Sequence, residues 1–168
     1  VKIFSDNQAT GLTSTAKISG DVVQVVYASV TGATTTNGTV PGTIAPITTA
    51  HGSDFGLSLN FKATSTSNKV YCLASVAGTN DTGVLNGAGI FIGGSSSAVT
   101  AFPIVAGAAG NIGGGNYLWR ATTVSAATIT WGMRIGGTAG TFTLNGQGAA
   151  GMWGGDITTS LMVWEVQN

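Results

Sequence analysis

The sequence predicts an all-β protein, folded as an antiparallel two-sheet sandwich or jelly roll of about eight strands. Short runs of β-branched and aromatic residues alternate apolar with polar side chains, which is the period of a half-buried strand. Pairs such as Asn37-Gly38 and Asn145-Gly146 mark turns between these runs. No window repeats apolar residues at helical spacing after a capped start, so we expect almost no helix.

The predicted strands follow one another from residue 20 onward. The first is a valine-rich run, and the second alternates Leu57 and Leu59 with polar residues. Pro103 lacks a backbone donor, which favours an edge position for its strand. The strands are, in chain order, Asp21–Val30, Phe55–Phe61, Lys69–Val76, Ala88–Ile92, Val99–Val105, Tyr117–Thr123, Ile129–Ile135, Phe142–Leu144 and Thr158–Val166.

The last predicted strand, Thr158–Val166, differs from those before it because it is apolar at consecutive positions. A strand that is apolar on both faces has something covering each face. It therefore lies in the middle of a sandwich or against another subunit, and this is the first indication of an oligomer.

Successive side chains of this strand point to its two opposite faces. Met162 and Trp164 point one way, whereas Leu161, Val163 and Glu165 point the other way. Burying a carboxylate inside a sandwich is costly without a partner. We therefore expect Met162 and Trp164 to face the core, and Leu161, Val163 and Glu165 to form an interface with neighbouring subunits.

Composition supports one domain that associates with copies of itself. Only 7% of the 168 residues are charged, while 43% are hydrophobic; an ordinary soluble domain has roughly 25% charged residues. We expect subunit contacts to cover much of the exposed apolar area. Six basic and six acidic residues cancel, which indicates neither nucleic acid nor an anionic membrane as a partner. Residues 1–19 are polar and predict an N-terminal arm or attachment segment.

A few short patterns suggest membrane, secretory or catalytic roles, and each is incomplete. The sequence has no apolar run of about 18 residues and no secretion signal, so we expect no membrane insertion. His51 is the sole histidine, so a Ser-His-Asp triad would have to use it. Ser53 and Asp54 are close in sequence, but no nucleophile elbow accompanies them. His51 is therefore expected in a polar loop.

Carboxylates are available for hydrolysis of a glycoside, but they are scattered singly along the chain. They are Asp54, Asp81, Asp156 and Glu165. Cys72 is the only cysteine and is expected in the core, where it forms no disulfide framework. One histidine, one cysteine and isolated acids give no metal-ligand cluster. The sequence therefore predicts no metal, no cofactor and no catalytic residues.

The segment Gly146–Gly151 spells the glycine fingerprint of dinucleotide-binding proteins. That fingerprint needs a helix directly after it, to aim backbone donors at the pyrophosphate. The next five residues, Met152–Asp156, are not a helix start, so we interpret the segment as a loop between the last two strands.

Trp153 lies in this glycine-rich loop. Its indole is either exposed, where it could stack on a sugar or anchor a partner, or tucked under the loop, and both alternatives stay open. Gln147, Trp153 and Asp156 form the candidate ligand-contact set, and a second candidate loop is 107–116. Trp119, Trp131 and Trp164 lie in strand patterns and are expected in the core or an interface.

From Gly20 onward, the order and spacing of four segments resemble a family of bacteriophage fibre and spike modules with a TNF/C1q-like trimeric jelly-roll fold. The segments are Gly20–Tyr27, Leu57–Val76, Thr128–Asn145 and Ser160–Val166. The resemblance implies a homotrimer on the virion surface, with residues 20–168 as the jelly-roll domain. It also implies that residues 1–19 contact other virion proteins and that loops contact a host surface or glycans.

The expected function is therefore that of a non-enzymatic virion protein, either a fibre or spike module or a capsid decoration. One alternative is a secreted C1q/TNF-like binding module, although the absent signal sequence and the lone Cys72 oppose it. Another is a polysaccharide hydrolase whose acids converge from two subunits.

Overall fold

The computed structural model describes residues 20–42, 45–105 and 109–168, and the predicted arm at residues 1–19 lies outside them. The described part is all-β, with a 3-10 turn at Trp153–Gly155. Its strands are β1 (Val22–Thr31), β2 (Thr34–Thr36), β3 (Ser58–Phe61), β4 (Lys69–Asn80), β5 (Asn86–Ile92), β6 (Thr100–Ile104), β7 (Gly113–Arg120), β8 (Ile129–Gly137), β9 (Phe142–Leu144), β10 (Gly146–Gln147), β11 (Ala150–Gly151) and β12 (Thr158–Val166). Eight of them have four or more residues, in agreement with the prediction of about eight strands, and the ninth predicted segment, Phe142–Leu144, is the three-residue strand β9.

The first sheet is built around β12 and β4. Strand β12 pairs antiparallel with β1 on one side and with β4 on the other, and β7 pairs with the far edge of β4. Near the end of β4, Gly78 pairs with both β7 and β9, so β9 continues the line of β12. Strand β2 pairs with β9 and continues the line of β1.

The second sheet has the strand order β3-β8-β5-β6, and all of its pairs are antiparallel. Strand β6, which contains Pro103, lies at the edge of this sheet, as its proline predicts. The sheets approach each other beside β6 and β7, where Val105 and Gly114 form an isolated bridge.

The core lies between the two sheets and receives alternate side chains from each. Its largest fully buried apolar members are Trp131, Phe142, Leu57, Ile90, Met133, Ile135, Leu144 and Leu161. Cys72 is also fully buried here, which confirms its predicted place. Burial raises the pKa of its thiol to about 12, so the thiol stays protonated.

Several predicted boundaries shift for local reasons. Strand β3 starts at Ser58, because Phe55 has a left-handed φ of 49° and the Leu57 N–H bonds the Asp54 carbonyl in a turn. Strand β7 starts within the glycines at Gly113, four residues before the predicted Tyr117. Backbone pairing to β4 recruits these glycines into the sheet, although they lack a strand pattern.

The ends of the sandwich differ. At one end, here called the terminal end, the Gly20 N–H donates to the Gln167 carbonyl at 2.8 Å. Strand β4 begins beside Val166 at the terminal end and runs away from it to Asn80. The opposite end, here called the loop end, carries the turn after β4, the turn between β8 and β9 and residues 145–157. Within the described ranges, no helix has the length and apolarity needed to cross a bilayer.

Candidate functional site

The two faces of β12 have opposite environments. Leu161, Val163 and Glu165 are all 0% exposed in the single chain, whereas Met162 and Trp164 on the other face are half-buried. Leu161 and Val163 belong to the core between the sheets. The face that was predicted to meet neighbouring subunits is therefore the inner face of the sandwich.

The prediction for Leu161, Val163 and Glu165 is thus wrong, and the reason is the assumption that Glu165 would lack partners inside the fold. Both oxygens of its carboxylate are hydrogen-bonded. The donors are Gln24 Nε2 at 2.6 Å, Asn68 Nδ2 at 2.6 Å, Thr64 Oγ1 at 2.8 Å, Thr64 N at 2.9 Å and Ser65 N at 3.2 Å.

We call Glu165 with Gln24, Thr64, Ser65 and Asn68 the Glu165 cluster. It joins β1, the loop before β4 and the end of β12. Gln24 Nε2 also donates to the Lys62 carbonyl at 2.6 Å, which holds the edge of β1 against the end of β3. Because five donor groups occupy a carboxylate that is closed to solvent, the cluster is equipped for holding three segments together and not for exchanging protons with a substrate.

Two opposing effects set the acidity of Glu165. Desolvation raises the pKa of its carboxyl, but the hydrogen bonds from Asn68, Thr64 and Gln24 together outweigh burial and lower the pKa to about 2. The carboxyl is therefore ionised across the ordinary pH range. A buried anion that is stabilised by neutral donors is a strong link between segments, because hydrogen bonds to a charged group are stronger than neutral ones.

This pKa predicts a pH window for stability. The pKa in the folded chain is about 2, below the ordinary value of 4.5, so the stabilisation is fully present above pH 4.5 and is lost as pH falls toward 2. The loss amounts to about 3 kcal/mol. Urea unfolding between pH 7 and pH 2 measures it, and the loss should be absent from a Glu165→Gln variant, which has no carboxyl to titrate there. Parallel pH profiles for the two proteins would contradict the assignment.

The outer side of the first sheet carries an apolar surface in register across its strands. Val25, Trp164 and Tyr71 align on β1, β12 and β4. The rings of Tyr71 and Trp164 are stacked, with centroids 5.5 Å apart. The next row along the strands is Tyr27, Met162, Leu73 and Leu118.

We call these seven residues the outer apolar face. Tyr27 is 70% exposed, Leu118 60% and Val25 52%. The following row, Ser29, Ser160, Ser75 and Asn116, is polar and bounds the face toward the loop end. Strand spacing of about 4.8 Å gives the four-stranded face a width of roughly 20 Å. A contiguous apolar patch of this kind is typical of an interaction surface.

Residues 145–157, here called the Trp153 loop, lie at the loop end. Strands β10 and β11 form a short hairpin whose two turn residues, Gly148 and Ala149, both have left-handed φ angles of 56° and 65°. The 3-10 turn follows, and Trp153 is 73% exposed. Of the two alternatives for its indole, the structure shows the exposed one. Gln147 and Asp156 are exposed in the same loop, so the three predicted contact residues share one element. Of the second candidate loop, residues 107–108 lie outside the described residues.

The residues considered for a triad have separate partners. His51 Nδ1 accepts from the Thr48 N–H at 2.9 Å, and the Ser53 hydroxyl bonds the Thr36 hydroxyl. Asp54 Oδ1 accepts the Gly56 N–H at 3.2 Å, which stabilises the turn before β3. His51 lies in the loop before β3, as expected. These bonds make the segment a hydrogen-bonded turn.

The remaining acids are distributed over different elements. Asp81 Oδ1 accepts the Thr141 N–H at 2.8 Å, and Asp156 and Glu165 lie near opposite ends of β12. In residues 20–42, 45–105 and 109–168, no group of three His, Cys, Asp or Glu side chains could hold a metal ion. The glycine fingerprint at Gly146–Gly151 forms the hairpin, and the three-residue 3-10 turn after it is too short to orient a phosphate.

Comparisons with known proteins add little. No protein-family model matches the chain, and no curated protein matches it. Among solved structures, the chain is similar to one described as "Bacillus endospore appendages form a novel family of disulfide-linked pili", with a TM-score of 0.34 and 15% sequence identity. The alignment covers 94% of this chain and 100% of that chain. A likeness of this size carries no argument about either fold or function.

Proposed function

We propose that this chain is a non-enzymatic bacteriophage virion protein, a homotrimeric jelly-roll module of a fibre, spike or capsid decoration that faces the host. The outer apolar face is the contact between subunits, and residues 1–19 attach the module to other virion proteins. The observation that carries the proposal is the outer apolar face, whose residues lie in register across β1, β12, β4 and β7 and are partly exposed in the single chain.

The strand order supports the jelly-roll part of the proposal. Numbered one to eight along the chain, the eight longer strands have the orders 1-8-3-6 and 2-7-4-5 in the two sheets. Strand one therefore pairs with eight, two with seven, three with six, and four with five. A single long antiparallel hairpin wrapped into two layers has this pattern, which is how a jelly roll is built.

The outer apolar face supports self-association. Lys69 and Arg120 are the cations at its rim, in register with Val166 and with Tyr71 respectively. The face contains Tyr27, Tyr71, Trp164 and Met162, and aromatic residues and methionine are enriched in protein interfaces, where tryptophan and tyrosine carry much of the binding energy. Covering this face contributes roughly 25 cal/mol per Å². A second copy supplies the same apolar chemistry, and the resemblance to trimeric phage modules favours three copies.

The layout of the ends supports display on a particle. Residue 20, where the N-terminal segment joins the domain, lies at the terminal end beside Gln167. The Trp153 loop lies at the opposite end. A module that is held through residues 1–19 would present the Trp153 loop outward, toward a host surface.

Light scattering tests the assembly, and labelling tests the location. Three copies of the 16.7 kDa chain have a mass of about 50 kDa, and we expect this mass to persist on dilution to micromolar concentration. An antibody against the chain should decorate the exterior of particles of the phage that encodes it. A stable protomer in dilute solution would overturn the trimer, and a two-copy mass would make the face a dimer contact. Unlabelled particles would overturn the virion location.

A further inference from the structure

We propose that the Trp153 loop is a binding site for neutral carbohydrate, with the indole of Trp153 as a stacking surface and Gln147 and Asp156 as hydrogen-bonding groups. The inference rests on the proposed function for one point only, which is that a module attached at its terminal end presents this loop toward the host. The site itself is argued from the geometry of the loop.

The first step is the exposure of Trp153. At 73% it is the most exposed large hydrophobic side chain of the described residues. Its backbone has a left-handed φ of 49°, a conformation that is strained for a residue with a large side chain. Local hydrogen bonds hold this conformation, because the Gly155 N–H donates to the Met152 carbonyl at 2.9 Å and the Asp156 N–H donates to the Trp153 carbonyl at 3.4 Å. The hydrogen-bonded turn therefore holds the indole out toward solvent.

The second step is the rigid base of the loop. Asn145 is fully buried and has a φ of 54°. Its side chain donates to the Val30 carbonyl at 2.7 Å and accepts from the Thr159 hydroxyl at 2.7 Å. The Thr79 hydroxyl donates to the Gly146 carbonyl at 3.0 Å. These bonds connect the start of the loop to β1, β4 and β12, so the base of the loop is fixed before any ligand arrives, which lowers the entropic cost of binding.

The third step is the open space at the glycines of the loop. Residues 148–151 of the hairpin are glycine and alanine. A methyl group placed on Gly148 or Gly155 would meet no atom within 4 Å. The backbone at these two glycines is therefore open to an approaching ligand. Gln147 and Asp156 are also exposed in this loop, six residues before and three residues after Trp153, and an amide and a carboxylate can bond hydroxyl groups.

The fourth step is the chemistry of the partner. An exposed aromatic face that shares one loop with an exposed amide and an exposed carboxylate matches a sugar, which offers an apolar C–H face and hydroxyls around its rim. A protein partner would need further exposed apolar anchors, whereas the other exposed residues described in 145–157 are glycine, alanine, Gln147 and Asp156. Residues 145–157 contain no lysine or arginine and one aspartate, so they disfavour phosphate. For the same reason, sialylated or uronic acid sugars should bind less well than neutral ones.

A glycan array that contains neutral and acidic polysaccharides tests the site with the full chain. We expect binding to neutral glycans, and a titration of the best one should lose at least tenfold in affinity in Trp153→Ala and recover partly in Trp153→Phe. Leu85→Ala is the matched control, because Leu85 is 70% exposed at the same end of the sandwich; its affinity should be unchanged. Asp156→Asn should increase the binding of acidic glycans relative to neutral ones.

The outcomes separate this inference from the proposed function. Absence of binding to every neutral glycan overturns the site, as does equal affinity for Trp153→Ala and the unmutated chain, even when the 50 kDa assembly is intact. Glycan binding that depends on Trp153 in a chain that stays a single protomer keeps the site and overturns the trimer. Binding only to acidic glycans overturns the ligand class.

Discussion

Glu165→Gln is expected to lower the free energy of unfolding by about 3 kcal/mol and the melting temperature by roughly 10 °C. The glutamine has nearly the same volume, so the substitution leaves no cavity. What changes is the carboxylate, which accepts from five donor groups. An amide supplies one neutral oxygen and turns an NH₂ group toward donors from Gln24, Thr64 or Asn68. Buried donors without acceptors cost free energy, since water cannot reach them.

Asp54→Asn is the matched control for this substitution. It removes one negative charge in the same way, but Asp54 is exposed and its Oδ1 accepts a single backbone N–H at 3.2 Å. We expect a change within about 0.5 kcal/mol. Denaturant unfolding of both variants at pH 7 measures the difference. Equal stability of the two variants would show that the Glu165 cluster contributes no more than an exposed carboxylate does.

Met162→Lys is expected to dissociate the proposed trimer into protomers that are still folded. Met162 lies on β12 at the middle of the outer apolar face, with Tyr27 on one side and Leu73 on the other. In a lone protomer, the lysine stem can lie along the sheet while its ammonium group reaches water. In the assembly, the ammonium group would be buried without a partner. The cost of about 4 kcal/mol corresponds to a thousandfold weaker association.

Ser58→Lys is the control, because it places the same charge on an exposed position of β3 in the other sheet. Light scattering should give about 17 kDa for Met162→Lys and the unmutated mass for Ser58→Lys, while circular dichroism shows strand content in both. An assembly that survives Met162→Lys would place the subunit contact elsewhere than on the outer apolar face.

Strand positions were largely predictable from local pattern. The predicted last strand matches β12 at both ends, and the predicted strand from Lys69 is the start of β4. The parts that escaped prediction depend on distant partners. Strand β2 is a run of three threonines that becomes a strand only through pairing with β9. The glycines at the start of β7 likewise acquire their structure from β4.

The sequence of β12 alone does not show which of its two faces points into the core, because both faces are apolar. The cost of burying Glu165 favours the opposite orientation, yet that cost depends on donors more than 90 residues away, in the segment that contains Thr64 and Asn68. The residues of β1 do not decide the orientation either, because Val25 and Tyr27 on one face and Val26 and Ala28 on the other are all apolar or aromatic. The register between β1 and β12 then decides which faces coincide, and register is a property of the folded sheet.

The contact between Gly20 and Gln167 has a practical consequence for re-engineering the chain order. Since the two ends of the domain already touch, a short linker between them would close residues 20–168 into a continuous loop of polypeptide with little distortion. New termini could then be opened at the exposed Gly93-Gly94 turn. Such a circular permutant would move the point of tethering while both sheets keep their pairing.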